Sequence, residues 1–290
     1  MYHDLNGMLT LAKNENIPLW QVVLKNEMRL SGMTEQQIFD NLDAHYEVMI
    51  NSAHKALDTP MPTVLGLISG VSAPQNLYAE TKGGLCGKMI NKAMAYALSC
   101  SEVNASMGKI CAAPTAGACG ILPAVIISLG EQLSLTRRQQ LEGLLTASGV
   151  GAVIMKNATV AGAEGGCQAE CGVAAAMAAA AAVEMAGGSP EQAVTAVSFT
   201  LVNCMGLVCD PVAGLVQLPC AQRNASQTVN ALLSADLALA GMKFPIPADE
   251  VIESMRRVGR QLPPALRETA QGGIAVSPAG KKIAKQLAKE

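Results

Sequence analysis

The chain has 290 residues, enough for one large domain or two small ones. Its formal charge is −2 and its body holds no basic run, which excludes the electrostatic footprint of a nucleic-acid binder. Half of it is hydrophobic but only 3% is aromatic. Ala, Leu and Met favour helix, whereas strands favour β-branched and aromatic residues. An all-α fold follows: a compact multi-helix domain spanning residues 1–290.

The polar start Tyr2-His3-Asp4-Leu5-Asn6 has no export signal. The most apolar run, Gly172 to Val183, is too short for a bilayer and ends at Glu184, so it reads as a buried helix. Nine cysteines, an odd number, all lie between Cys86 and Cys220. Metal-binding or reactive thiols in a reducing cytosol are expected, rather than disulfides.

In chain order, residues 1–33 read as two short helices, with Pro18 at a first helical position and Gly32 as a stop. Thr34-Glu-Gln-Gln37 is a capping box. Ile38, Leu42, Tyr46, Met49, Ile50, Ala53 and Leu57 then mark a helix to about Asp58. Residues 59–87, rich in Gly and Pro, read as loop. Residues 88–110 return to helix. Cys111-Ala-Ala-Pro-Thr-Ala-Gly-Ala-Cys-Gly120 is a small-residue loop feeding an apolar helix from Ile121. It suits either close helix packing or carboxylate binding at a helix N-terminus.

Thr136-Arg-Arg-Gln139 opens a helix through Leu145, which Val150–Met155 extend after a Gly149-Val-Gly151 interruption. A Gly/Ala/Thr loop over 157–166 leads to Cys167 and the Ala-rich helix, closed by Gly187-Gly188. Ser189-Pro-Glu-Gln192 is a third capping box, opening a helix towards Cys204. Residues 205–224 read as loop. Helices follow from Ser226 to Ala240, from Pro247 to Arg260, and from Pro278. The Lys281-Lys282…Lys285 cluster marks a solvated face.

Cys167, Cys209 and Cys220 each lie beside Gly or Pro, as loop thiolates presented to a metal do. The thiols alone admit three assignments. Buried cysteines act as small hydrophobes, as Cys100 and Cys204 do by position. Cys167, Cys171, Cys204 and Cys209 match a tetrahedral zinc site. Widely spaced cysteines also hold iron–sulfur clusters.

Four segments carry a resemblance: Asn157-Ala-Thr-Val-Ala-Gly-Ala-Glu-Gly-Gly-Cys167-Gln-Ala-Glu, Gly206-Leu-Val-Cys-Asp-Pro-Val-Ala-Gly-Leu-Val-Gln-Leu-Pro-Cys220, Cys111-Ala-Ala-Pro-Thr-Ala-Gly-Ala, and Leu266-Arg-Glu-Thr-Ala-Gln-Gly-Gly273. They resemble the iron–sulfur-dependent bacterial L-serine dehydratases over nearly the whole chain, and most closely the separate α subunit of the two-subunit class. The chain departs from that family at Gly66-Leu-Ile-Ser-Gly-Val-Ser72, where relatives read closer to Gly-Leu-Thr-Gly-Gly-Asp.

The resemblance implies a [4Fe–4S] cluster on Cys167, Cys209 and Cys220, with Gly/Pro-rich loops converging on it, and excludes Cys171 from the ligand set. It implies a lyase that deaminates L-serine to pyruvate and ammonia, an open iron assisting β-elimination as a Lewis acid. Pro114, Thr115, Ala116, Gly117, Asn157 and Arg223 are the expected substrate contacts. Arg223 equally suits charge neutralisation of the cluster or an ion pair.

The chain has only His3, His45 and His54, and none lies near the thiols in sequence. The base that takes the Cα proton is therefore unassigned here and is expected from a β subunit. Two alternatives have distinct marks. A pyridoxal-phosphate eliminase needs a Schiff-base lysine, with Lys82, Lys88 and Lys156 as candidates. A non-enzymatic zinc- or Fe–S-stabilised scaffold or sensor would use an all-cysteine site.

Overall fold

The computed structural model describes residues 1–289, and among these it contains helices and turns but no β-strand. Thirteen α-helices follow in order: α1 Leu5–Glu15, α2 Leu19–Ser31, α3 Glu35–Lys55, α4 Ser72–Lys82, α5 Gly87–Ala105, α6 Ile121–Gln132, α7 Arg137–Asn157, α8 Gly162–Gly165, α9 Val173–Met185, α10 Pro190–Cys204, α11 Cys220–Leu239, α12 Ala248–Gln261 and α13 Pro278–Leu287. Among the described residues, no helix is long and apolar enough to cross a membrane.

The fold is built around α9. Every residue from Val173 to Val183 is buried. An apolar helix without a polar face must be covered on all sides, and α6, α7, α10 and α11 surround it. Its many alanines let those neighbours approach closely. All three capping boxes form: Thr34 with Gln37, Thr136 with Gln139, and Ser189 with Gln192. Each hydroxyl accepts a first-turn N–H that has no intrahelical partner. Pro18 sits one position outside its helix, as the N-cap, and Gly32 closes α2 with φ 72°.

The structure corrects four boundaries. Residues 59–87 include a helix, α4, because Pro74 falls in its first turn, where no N–H is needed. Helix α3 ends at Lys55. Helix α7 runs unbroken through Gly149 and Gly151, where added methyls would meet Val23 of α2 and Met177 of α9; these glycines permit close packing. Helix α11 begins at Cys220, six residues earlier than its apolar pattern suggests. The polar run Gln-Arg-Asn224 disguises its first turn.

Candidate functional site

Cys167 ends the tight turn after α8 and precedes a π-helical turn, Gln168–Gly172, that runs into α9. Such turns recur at functional sites because they push one residue out of the regular spiral. Gln168, fully buried, fixes the turn: Nε2 donates to the carbonyls of Gly165 (2.9 Å) and Met255 (3.1 Å), and Oε1 accepts from Gly206 N–H (2.8 Å).

Cys209 lies in the loop after α10. Its N–H donates to Leu266 (2.9 Å), and its carbonyl accepts from Glu268 N–H (2.8 Å). The Leu266–Gly273 motif is thereby stitched to Cys209. The next residue, Asp210, is 2% exposed; it accepts from Ile274 N–H (2.8 Å) and Arg223 Nη2 (2.7 Å). Cys220 opens α11. Asn224, one turn on, donates to the carbonyls of Gly117 (2.7 Å) and Cys220 (2.9 Å) and accepts from Gly120 N–H (2.9 Å). The small-residue loop and Cys220 therefore move together.

The three thiols are electrostatic neighbours. The Cys171 thiol lying against it, opposed by burial and helped by the Arg223 guanidinium, lowers Cys167 below the ordinary thiol range. Burial, and then the charge on Cys167, raise Cys209. The same causes push Cys220 up to about 12. Metals take thiolates, so thiols raised in this way would release protons on binding.

Their spacing also discriminates. Zn–S bonds of about 2.3 Å place the sulfurs of a tetrahedral site roughly 3.8 Å apart. Among the described residues, no three cysteine sulfurs lie within 4.8 Å of one another. Cys204 packs its sulfur against Gly172 and donates to Leu201 (3.5 Å); Cys100 and Cys119 are buried together, Cys119 just before Gly120 in the loop tied to Cys220.

Two acidic residues stand beside the thiols, and sequence reasoning missed both. Glu170 and Glu268 place a carboxylate oxygen within 4.8 Å of Cys209 Sγ and of each other. Burial raises the Glu170 carboxyl; the Thr115 hydroxyl opposes this by donating to Oε1 (2.7 Å), and Glu268 adds to it. Methyl groups on Gly162 or Gly117 would reach 2.7 Å and 2.9 Å from its oxygens, so glycine backbone forms its walls. Both acids lie inside quoted motifs, three residues after Cys167 and two after Leu266, and that placement was the available signal.

Of the expected substrate contacts, Thr115 and Gly117 lie against Glu170. Half-buried Pro114 precedes them, and the Ala116 carbonyl accepts from Asn104 (3.2 Å). Arg223 is at the site, but its guanidinium is committed to Val208 O (2.7 Å) and Asp210, beside Cys167. Asn157 is elsewhere: exposed, it donates to His3 O (2.8 Å) and fastens the N-terminus. Arg267, next to the Cys209 bridge, has a buried Nε without an acceptor. His45 and His54 direct Nδ1 at carbonyls of their own helix. Lys88 pairs with Glu80 (2.5 Å), and Lys156 lies against His3.

The Gly66–Ser72 loop is held by a carboxylate. Glu102 of α5, fully buried, accepts from the N–H groups of Met61 (2.6 Å), Gly70 (2.8 Å) and Ser72 (3.5 Å) and from the Ser72 hydroxyl (3.2 Å).

The family model described as serine dehydratase alpha chain matches residues 14–275. The chain is 49% identical over its whole length, and over 99% of the relative's, to an L-serine dehydratase alpha chain of Peptoniphilus asaccharolyticus. It is 43% identical over 99% of its length to a probable L-serine dehydratase alpha chain of Bacillus subtilis, covering 95% of that protein. Against L-serine dehydratase TdcG of Escherichia coli, 33% identity extends over 95% of this chain but only 62% of that one. Thiol loops tied to the Leu266–Gly273 and Cys111–Gly120 segments thus occur in a chain that two alpha-chain relatives match over nearly their whole length, and the chain belongs to the serine dehydratase alpha chain family.

Proposed function

We propose that this chain is the α subunit of an L-serine ammonia-lyase, located in the cytosol, whose [4Fe–4S] cluster is held by Cys167, Cys209 and Cys220. One observation carries the reading: three loop thiols that feel one another's charge stand beside a carboxylate pair in a chain of this family. When bound, such a cluster supplies a Lewis-acidic iron that activates a β-hydroxyl as leaving group.

The chain's own residues do the rest. Arg223, anchored by Asp210, offsets negative charge at Cys167. Arg267 offers a buried donor for the substrate carboxylate. Glu170, oriented by Thr115, walls the site on the Gly162 side. Loss of the Cα proton and of hydroxide gives aminoacrylate, which tautomerises to an imine and hydrolyses to pyruvate and ammonia. No histidine stands at the thiols to take that proton, so a β subunit closes the site and brings the base. The name of those relatives, alpha chain, supports such a partner.

The test is anaerobic purification with assays of iron, acid-labile sulfide and zinc, followed by pyruvate formation from L-serine, L-threonine, L-cysteine and D-serine, with and without the β chain. Iron and sulfide in cluster proportion and β-dependent turnover of L-serine are expected. Stoichiometric zinc without sulfide would favour the scaffold, and a borohydride-reducible lysine adduct would favour pyridoxal phosphate.

A further inference from the structure

A buried acceptor without a partner stands between the second and third site cysteines. Gln217 is 2% exposed. Its backbone is spent locally: N–H on Leu215 (2.8 Å), carbonyl on Ala221 N–H (2.9 Å) in the first turn of α11. Its side-chain Nε2 donates to Val64 O (3.1 Å), which fixes the amide's orientation, because the reverse would set two acceptors face to face. Oε1 then points away from Val64 and finds no donor among the described residues. The residue before Val64, Thr63, also buries its hydroxyl oxygen without a partner.

Leaving such an acceptor unpaired costs about 1–3 kcal/mol, and nearly all buried polar atoms avoid it. Here two orphans flank one contact. The turn that Gln217 reaches and the turn before it in its own loop are strained alike: Leu65 and Ala213 sit at φ 55° and 56°, where only glycine is at ease, each followed by a glycine at positive φ. Strained backbone beside an unpaired buried acceptor is the pattern of a prepared binding edge. It adjoins the third site cysteine, Cys220, three residues on.

An amide oxygen can only accept. Of the groups on L-serine, the carboxylate is itself an acceptor, and the β-hydroxyl must face the group that activates it. The α-ammonium is the remaining donor. We infer that Gln217 Oε1, with the Thr63 hydroxyl, accepts hydrogen bonds from the α-ammonium of the amino-acid substrate, making the Thr63–Gly66 turn and Gln217 the amine-recognition edge of the site. The inference rests on the lyase reading and adds residues that it does not require.

The experiment uses the reconstituted α/β enzyme carrying Gln217→Met or Thr63→Val. Each substitution keeps the shape and removes an acceptor; Gln217→Met also gives up the donor to Val64 O, so Thr63→Val is the cleaner of the two. The KM for L-serine should rise about 10- to 100-fold for Gln217→Met and several-fold for Thr63→Val, the fold-changes that an unpaired buried donor produces. Inhibition by 3-hydroxypropionate, which has the carboxylate and β-hydroxyl but no amine, should stay unchanged, as should iron and sulfide content. Unchanged KM in both variants would overturn the amine edge, as would equal weakening of L-serine and 3-hydroxypropionate. If Gln217→Met loses iron, Thr63→Val alone decides. Failure of the unsubstituted complex to form pyruvate from L-serine would overturn the lyase reading itself, a result distinct from either.

Discussion

The buried bundle around α9 and the thiol-bearing end are held by different forces. In the bundle, eleven consecutive buried residues, Val173–Val183, pack against apolar faces. At the thiol end, polar side chains tie loops to backbone across long stretches of chain: Gln168 to Gly206 and Met255, Asn224 to Gly117 and Gly120, Asp210 to Ile274, Glu102 to Met61 and Gly70. A region proposed to admit a cofactor and a substrate is not closed by apolar packing. It is ordered by directional bonds, and those fail differently. A core swap of similar volume costs little, whereas removing one partner of a buried polar pair leaves the other desolvated and unpaired.

The sharpest way to break that contrast is Asp210→Ala. It strands Arg223, whose side chain is 16% exposed, and frees Ile274 N–H. Breaking a buried pair in this way costs about 3–5 kcal/mol. Ile126→Val in the fully buried core should cost about 0.5–1.5 kcal/mol. Urea denaturation of both variants measures the difference. A cost for Asp210→Ala no larger than for Ile126→Val would show the polar ties to be ornamental.

Glu184 is the bundle's exception. It leaves the end of α9, accepts from Trp20 N–H (3.3 Å) at the start of α2 and from the Thr146 hydroxyl, and is raised by burial from 4.5 to about 7. It stands where α2 has no side-chain cap of its own. The folded state therefore binds this proton more tightly than the unfolded chain does. Stability is full below pH 4.5 for this group and falls as pH rises to about 7, by about 3 kcal/mol. Glu184→Gln keeps an acceptor for Trp20 and gains a donor for Thr146. It should melt higher than the parent at pH 8 and alike at pH 5. A gap between the two that does not change with pH would contradict the assignment.

Two glycines sharpen the comparison further. A methyl on Gly120, at the site, would strike the Ala97 backbone carbonyl and come within 3.0 Å of Asn224 Oδ1. A methyl on Gly151, in the bundle, would meet the Met177 sulfur at 2.8 Å. Backbone cannot yield; a methionine can. Gly120→Ala should cost about 1–3 kcal/mol and reduce iron retention, since Asn224 also holds Cys220. Gly151→Ala should be near neutral, because helix propensity returns about 1 kcal/mol. Thermal melts and iron assays after anaerobic reconstitution decide between them.

The same division governs what could be read from the chain. Helix α9, the three capping boxes and the Gly32 stop were legible, because each depends on residues within a few positions of one another. The convergence of Cys167, Cys209 and Cys220 was legible only through resemblance, because nothing local brings residues 53 positions apart together. Helix α4 hid behind Pro74, and the first turn of α11 behind Arg223 and Asn224, whose polar side chains point to inward partners that no local pattern announces. Asn157 shows the converse. It lies in a quoted motif, yet its side chain serves His3, 154 positions away.

The smallest expected effect separates a local device from a long-range one. Ser189 accepts from Gln192 N–H (3.3 Å), and Gln192 Oε1 accepts from Ser189 N–H (2.8 Å), a closed exchange within one turn. Ser189→Ala should cost about 1 kcal/mol. Gln192 does more, since its Nε2 also donates to the carbonyls of Ala238 (3.0 Å) and Leu239 (3.3 Å) and so secures the end of α11. Gln192→Ala should therefore cost more than Ser189→Ala. Both sit at the opposite end of α11 from Cys220, a separation of about 30 Å for a 20-residue helix. Iron content should be unaltered in both variants. If either lost iron while its melting temperature fell only slightly, the two ends of α11 would be coupled through the helix, and packing and polar ties would not be the separate systems argued above.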